Sequence, residues 1–346
     1  MDNANLFALA KAAAKTSVNP SYTFSFDDKK FGADEINAQF RDELNKLSPK
    51  GDLYTWNNNK NLIFQLMATN INEVLPQKVL QAYGQFADVQ TFAQGDKPIF
   101  NVRISEASKK RAKQFVTRVG LAGRYEVFQL DGYSFEVKTS AHGGAAYIPF
   151  EQFLDGKIQM SDVYDIVLEG LDEDIYKEIA KSLIAMVSDI KTVNKSVQST
   201  FNENEMDKLL ATTSAYGTPT IYCTYEFATQ MKPDATWASD SMKQTYWENG
   251  YFTTYKGTRV IVLPQSFTDI DNTTKVIDPS YAYIIPTGAE KPVKVAFEGQ
   301  AQVREVESQE DWSRVIQTYQ KVGVSSYLVN PGICVYKNES LHIENK

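Results

Sequence analysis

Two histidines and two cysteines are the whole supply of imidazole bases and soft metal ligands in this chain: His142, His342, Cys223 and Cys334. That count comes close to excluding a multi-histidine metal site or a histidine-based triad. Two cysteines furnish neither a Cys-rich zinc site nor a multi-bridge framework, and both read as small buried apolar residues. Gly143-Gly144 and Gly120-x-x-Gly123 lack the spacing of a phosphate-binding loop, no Walker-type lysine follows them, and a turn explains each. No catalytic, cofactor-binding or metal-binding residue is assigned, no cofactor is expected, and the chain is read as not an enzyme. A single Asp or Glu can act without a recognisable motif, which leaves an enzyme of unrecognised chemistry as one alternative.

The remaining candidates are charged groups. Lys109, Lys110, Arg111, Lys113, Arg118 and Arg124 form a basic cluster, with no acid from Ala107 through Tyr125. Asp162, Asp165, Glu169, Asp172, Glu173 and Asp174 crowd the first half of a long helical pattern. Neighbours such as Asp172-Glu173-Asp174 point in different directions on a helix, so a solvated face explains them better than an acid/base couple. For the basic cluster the simple reading is a soluble hairpin surface. The sharper reading lays it on the acidic half of the helix in a neighbouring copy, where charge complementarity sets register and partner choice more than affinity. Overall, 36 Lys plus Arg stand against 43 Asp plus Glu, a formal charge of −7. That balance argues against a surface that clamps nucleic acid through many phosphates.

The elements that must carry these groups change character along the chain. Residues 1 to about 60 are broken by Asn19-Pro20, Ser48-Pro49-Lys50-Gly51 and Asn57-Asn58-Asn59, which suggests an arm more than a core. Within it, Ile36, Phe40, Leu44 and Leu47 recur at helical spacing. From Lys97 to Phe150 the period falls to two, with β-rich runs at Pro98–Ile104, Ala112–Val119, Arg124–Leu130 and Tyr133–Thr139. Asp131-Gly132 between the last two runs is the signal of a type I′ hairpin. Ser161 can cap a helix running to about Ile190, whose stripe of Val163, Val167, Leu171, Ile175, Ile179, Leu183 and Val187 drifts because it recurs every fourth residue.

Beyond that helix, Glu203–Leu210 and Glu226–Met231 read as helices, and Pro219–Cys223, Arg259–Leu263 and Tyr281–Ile285 as strands, a small α/β subdomain. Val293, Val295 and Phe297, then Val315–Val324, return to alternation and suggest a closing sheet. The fold class is therefore α+β. At 346 residues, 42% of them apolar, the chain can bury a sizeable core. No basic flank precedes an apolar N-terminal run and no stretch of about 18 apolar residues occurs, so neither a secretory signal nor a membrane span is expected.

Three passages carry a family likeness: Ile148-Pro149-Phe150-Glu151-x-x-Leu154-Asp155-Gly156, Pro286-x-Gly288-x-x-Lys291-Pro292-Val293, and Tyr319-x-Lys321-Val322-Gly323-Val324 followed by Asn330-Pro331. With the order of elements they resemble the Hong Kong 97 (HK97) type of major capsid protein of tailed bacteriophages. The resemblance implies an N-arm over 1–60, a way into the peripheral domain over 61–94, and an extended β-hairpin E-loop over 95–147. It further implies a peripheral domain with its spine helix over 148–194, a mixed α/β axial domain over 195–285, and a C-terminal sheet of the peripheral domain over 286–346. It also implies self-assembly into hexamers and pentamers of an icosahedral head in the virion, put together in the host bacterial cytoplasm. Such a shell encloses double-stranded DNA without sequence-specific binding and without a membrane, helped by separate scaffolding, portal and maturation proteins. An encapsulin-type nanocompartment shell is the nearest alternative, and an adhesion module a more distant one.

Overall fold

The computed structural model describes residues 3–26, 29–48, 52–102, 132–148, 160–232, 239–287, 290–307, 314–328 and 330–341. The chain divides into two compact units, the first drawn from Met1–Pro98, Val137–Tyr176 and Val295–Val324, the second from Ile99–Glu136, Lys177–Lys294 and Ser325–Lys346.

The first unit is organised by a helix the sequence conceals. Helix α1 (Asn3–Val18) stops at Asn19-Pro20, and α2 (Ala33–Leu47) begins with the Glu35 carboxylate accepting the Gly32 N–H at 3.0 Å. Both lie on α3 (Leu53–Tyr83), a 31-residue helix capped by Asp52, whose carboxylate accepts the Thr55 N–H at 3.0 Å. Asn57-Asn58-Asn59 therefore does not break the chain but lies inside α3, where the Asn59 amide donates to the Leu47 carbonyl at 3.1 Å. Trp56, Ile63, Met67, Ile71, Val74 and Val79 on α3 are buried, as are Leu6, Leu9 and Ala13 on α1 and Ile36, Phe40 and Leu44 on α2. Alanines let α1 approach α3 closely, and the buried Asn70 donates to the Ala10 carbonyl at 2.8 Å. The expectation of an arm without a core is thus corrected for α1 and α2: they fold onto their own chain because their apolar stripes find a partner stripe on α3.

Against these helices lies a four-stranded sheet in the order β3-β12-β13-β6, with β3 Ala87–Phe92, β6 Ser140–Ile148, β12 Val293–Glu307 and β13 Arg314–Ser326. Glu305 on β12 accepts from the Trp56 indole at 3.3 Å and from Lys60 at 3.2 Å. Gly143-Gly144, expected as a turn, lies within β6, opposite Tyr319 and Thr318 of β13. A Cβ at Gly143 would stand 2.3 Å from the Thr318 carbonyl oxygen, so the glycine is there for close backbone approach. This unit also holds a two-stranded ribbon of β1 (Phe24–Phe26) and β2 (Lys29–Phe31).

The second unit is built on a six-stranded sheet in the order β7-β14-β11-β8-β10-β9. Its strands are β7 (Lys195–Gln198), β8 (Thr218–Cys223), β9 (Thr254–Tyr255), β10 (Thr258–Val262), β11 (Tyr281–Thr287) and β14 (Cys334–Asn338). Strand β8 runs parallel to β10, and β14 parallel to β7, with β11 antiparallel between β8 and β14. Two helices of this unit, numbered after the long spine helix α4 described below, are α5 (Glu203–Ser214) and α6 (Tyr225–Gln230); they cover a core of Met206, Leu209, Ile221, Phe227, Ile284 and Tyr336. A third, α7 (Asp240–Asn249), was not anticipated. Cys223 and Cys334 are free and buried in that core, and burial pushes the Cys223 thiol up. The last strand, β14, joins this sheet and not the one containing β12 and β13. The expectation of a single closing sheet over 286–346 is corrected accordingly, since Val335 and Tyr336 match the apolar core of the second unit.

The spine helix itself is α4 (Met160–Asp189). Ser161 lies inside its first turn and not at the cap, buried and within 3.4 Å of the Asn45 amide. Val163 through Leu183 of the expected stripe are buried; at the C-terminal end burial passes to Met186 and Ile190 while Val187 is only half-buried. A fourfold repeat drifts about 40° per step on a helix of 100° per residue, and the shift in buried positions follows from it.

Candidate functional site

Projected at 100° per residue, Asp162, Asp165, Glu169, Asp172 and Glu173 fall within an arc of about 100° on α4, and Asp174 falls roughly a quarter-turn or more away, on the side of Val163 and Val167. The contacts follow that division. Asp165 pairs with Arg41 of α2 at 2.7 Å, and Asp172 meets Lys78 of α3 at 3.7 Å. Burial pushes both carboxyls above the ordinary range, and the cations partly offset it. Ile166 projects at the edge of that arc, just beyond Glu173, and is 65% exposed, an apolar side chain beside charged ones. The basic candidates Lys109, Lys110, Arg111, Lys113, Arg118 and Arg124 lie outside the described residues, as do the runs Ala112–Val119 and Arg124–Leu130 and the residue Asp131. The structure therefore brings the acids together and leaves their expected counterpart unplaced.

Asp174 does something the residue count gave no reason to expect. His142 on β6 holds its Nδ1 2.5 Å from the Asp174 carboxylate and its Nε2 2.8 Å from the Ser140 hydroxyl. Alternation on β6 puts residues 140 and 142 on one face, and the helix rotation brings Asp174 to that face. The chain of Ser, His and Asp has the polarity of a hydrolytic triad. Ser140, however, lies in a regular strand opposite Val322 and is exposed, and the arrangement ties a strand to a helix.

Further contacts, described for each unit by itself, involve residues on either side of 103–131, which lie outside the described residues. Strands β4 (Ile99–Val102) and β5 (Tyr133–Glu136) pair antiparallel, Ile99 opposite Glu136 and Val102 opposite Tyr133. So β5 pairs with β4, and the other strand of the hairpin expected across Asp131-Gly132 lies outside the described residues. In the second unit an aromatic run supports this ribbon: Phe100 and Phe135 stack at 6.0 Å, and Phe135 lies 3.7 Å from Tyr327. Lys294, 1% exposed, sits 5.6 Å over the Phe100 ring and pairs with Glu290 at 2.9 Å.

In the first unit, the Val137 N–H donates to the Pro98 carbonyl at 2.9 Å. Glu298 of β12, 6% exposed, accepts from the Gly95 N–H at 3.1 Å, from Lys321 at 2.9 Å and from the Thr139 hydroxyl. Those donors, Thr139 foremost and then Lys321, hold its carboxyl at about 2, below the usual range. The signal in the sequence is the adjacent Gly299, which takes φ of +70°; Gly95, brought there by the fold, takes +87°. Among the described residues no cluster of His, Cys, Asp and Glu could hold a metal ion, and no helix is long and apolar enough to cross a membrane.

A family model described as "SPbeta prophage-derived putative capsid protein YonB" matches residues 9–329. The chain belongs to this YonB capsid-protein family. Among solved structures, the capsid of Helicobacter pylori bacteriophage KHP30 is similar at 14% identity and a TM-score of 0.51, covering 74% of this chain and 90% of that one. The head of Helicobacter pylori bacteriophage KHP40 is similar at 13% identity and a TM-score of 0.50, covering 75% and 91%. A phage-related protein of Bordetella bronchiseptica RB50 matches at 12% identity and a TM-score of 0.49, covering 81% and 98%. No curated protein matches the sequence. At these identities the structural likeness establishes the fold, which is of the HK97 type expected from the motifs. The YonB family places the chain among structural capsid proteins, and favours a phage capsid over a nanocompartment shell.

Proposed function

We propose that this YonB-family subunit self-assembles into the hexamers and pentamers of an icosahedral head around double-stranded DNA, put together in the bacterial cytoplasm with separate scaffolding, portal and maturation proteins. The capsid-family match over residues 9–329 carries the reading. In it, the 95–147 excursion is the E-loop reaching an adjacent copy, α4 is the spine of the peripheral domain, and 195–285 with β14 forms the axial domain. Contacts between copies that reach outward, each onto the next, are heterologous and close into rings when the rotation permits. Negative-stain microscopy of the concentrated protein is expected to show rings or closed shells. A monomer that persists across salt concentrations, and with a scaffolding partner, would overturn the proposal.

The same reading gives the charged groups their work. Asp165, Asp172 and Asp174 are engaged within the chain, so the surface offered to an incoming Lys109, Lys110, Arg111, Lys113, Arg118 and Arg124 ribbon centres on Glu169 beside Ile166. Charge complementarity there would set register. Reversing Lys109, Lys110 and Lys113 to Glu is expected to abolish shells while the subunit still folds; shells at the ordinary yield would refute the contact. The Ser140–His142–Asp174 chain is structural in this reading and the subunit is not an enzyme. Fluorophosphonate should leave Ser140 unlabelled.

A further inference from the structure

The segments that lead into and out of residues 99–136 both meet the β12–β13 pair. On the outgoing side the turn at Gln94-Gly95 touches β12: a Cβ at Gly299 would stand 3.2 Å from Gln94 Cβ. On the return side residues 137–138 press on β13, where a Cβ at Gly323 would stand 2.6 Å from the Lys138 carbonyl oxygen and 2.9 Å from Val137. Between these two approaches sits Glu298, whose carboxylate takes Gly95 from the outgoing segment, Thr139 from the returning one and Lys321 from the neighbouring strand. A nearly buried carboxylate carries a large desolvation cost unless several donors meet it, and a neutral pair of apolar residues could hold two strands together as well. What a three-donor carboxylate adds is direction: each hydrogen bond fixes an angle as well as a distance.

We propose that Glu298 is the positioning residue of the excursion, holding Gly95 and Thr139 at the spacing and angle from which residues 99–136 can reach a second copy of the chain. The proposal rests on the capsid reading, because its consequence is assembly. Its signature is a separation of effects: losing the carboxylate harms assembly more than it harms folding.

The test uses the full chain with Glu298→Gln, read by hydrogen exchange, by thermal unfolding and by the yield of closed shells. Exchange over 93–98 and 137–141 is expected to speed by at least about ten-fold while α3 and the six-stranded sheet keep their protection, as in local opening without global unfolding. Shell yield is expected to fall by a similar factor. The proposal is overturned if the single variant assembles like the parent, or if exchange rises no more at the roots than elsewhere. If Glu298→Gln does not fold, Thr139→Val, which removes one donor of three, decides by the same two readouts. If the parent chain itself forms no shells, the capsid reading fails, while the exchange measurement still judges Glu298.

Discussion

Helices α3 and α4 are nearly equal in length, 31 and 30 residues, yet they spend their surfaces differently. On α3 buried residues recur from Trp56 to Tyr83, with α1 and α2 on it and Glu305 of β12 reaching its first turns. Along α4 burial occupies one stripe, and beside it stands an arc of carboxylates with the exposed Ile166 at its edge. The difference teaches that helix length in this fold does not indicate role: α3 is the post on which α1 and α2 gather, whereas α4 sets an acidic arc beside its own buried stripe.

The comparison can be broken most directly by truncation. Trp56→Ala on α3 should cost about 3–5 kcal/mol, the range for emptying a buried aromatic site, read by denaturant unfolding. A cost below about 1 kcal/mol would mean α3 is not the post it looks. On the buried stripe of α4, Ile175→Ala should cost about 2–4 kcal/mol. Ile166→Ala, on the same helix, should change subunit stability by less than about 0.5 kcal/mol, and should lower shell yield if the acidic arc meets another copy. A larger loss of stability than at Ile175 would invert the picture.

Acid titration sharpens the contrast between carboxylates. Glu298 has its carboxyl depressed to about 2, so its contribution is fully present above the ordinary glutamate range and is lost as pH falls through that range towards about 2. The stability difference between the parent and Glu298→Gln should accordingly be constant near neutrality and shrink towards zero at the acid end. Asp165 and Asp172 are raised, so the native chain binds protons more readily than the unfolded one, and the sign reverses. Relative to Asp172→Asn, the parent should gain stability as pH is lowered towards the ordinary aspartate range. The smallest expected effect is that of Ser140→Ala, within about 0.5 kcal/mol, since an exposed hydroxyl is easily replaced by water.

Legibility in the sequence followed local periodicity. The stripe of α4, the runs that became β8, β10, β11, β12 and β13, and α5 with α6 were readable because each carries its own apolar period. Helix α3 was hidden by Asn57-Asn58-Asn59 and by Pro76, poor helix formers by propensity, which burial of residues on both sides overrides. Gly143-Gly144 misled in the opposite direction: its glycines mark a tight approach between strands, which looks like a turn until the partner strand is known. Glu298 had no signal of its own, and only the adjacent Gly299 hinted at a special place.

By itself, then, the sequence determined the α+β class, the long acidic helix, the two-residue period before it, and the family likeness, because periodicity and short motifs are properties of neighbours in the chain. Which strand lies beside which, the folding of α1 and α2 onto α3, the passage of β14 into the second sheet, and the meeting of Gly95, Thr139 and Lys321 on one carboxylate were decided only in three dimensions. Those pairings join residues far apart along the chain, and the selection among them is made by packing and by the need to satisfy buried polar groups, neither of which leaves a local imprint.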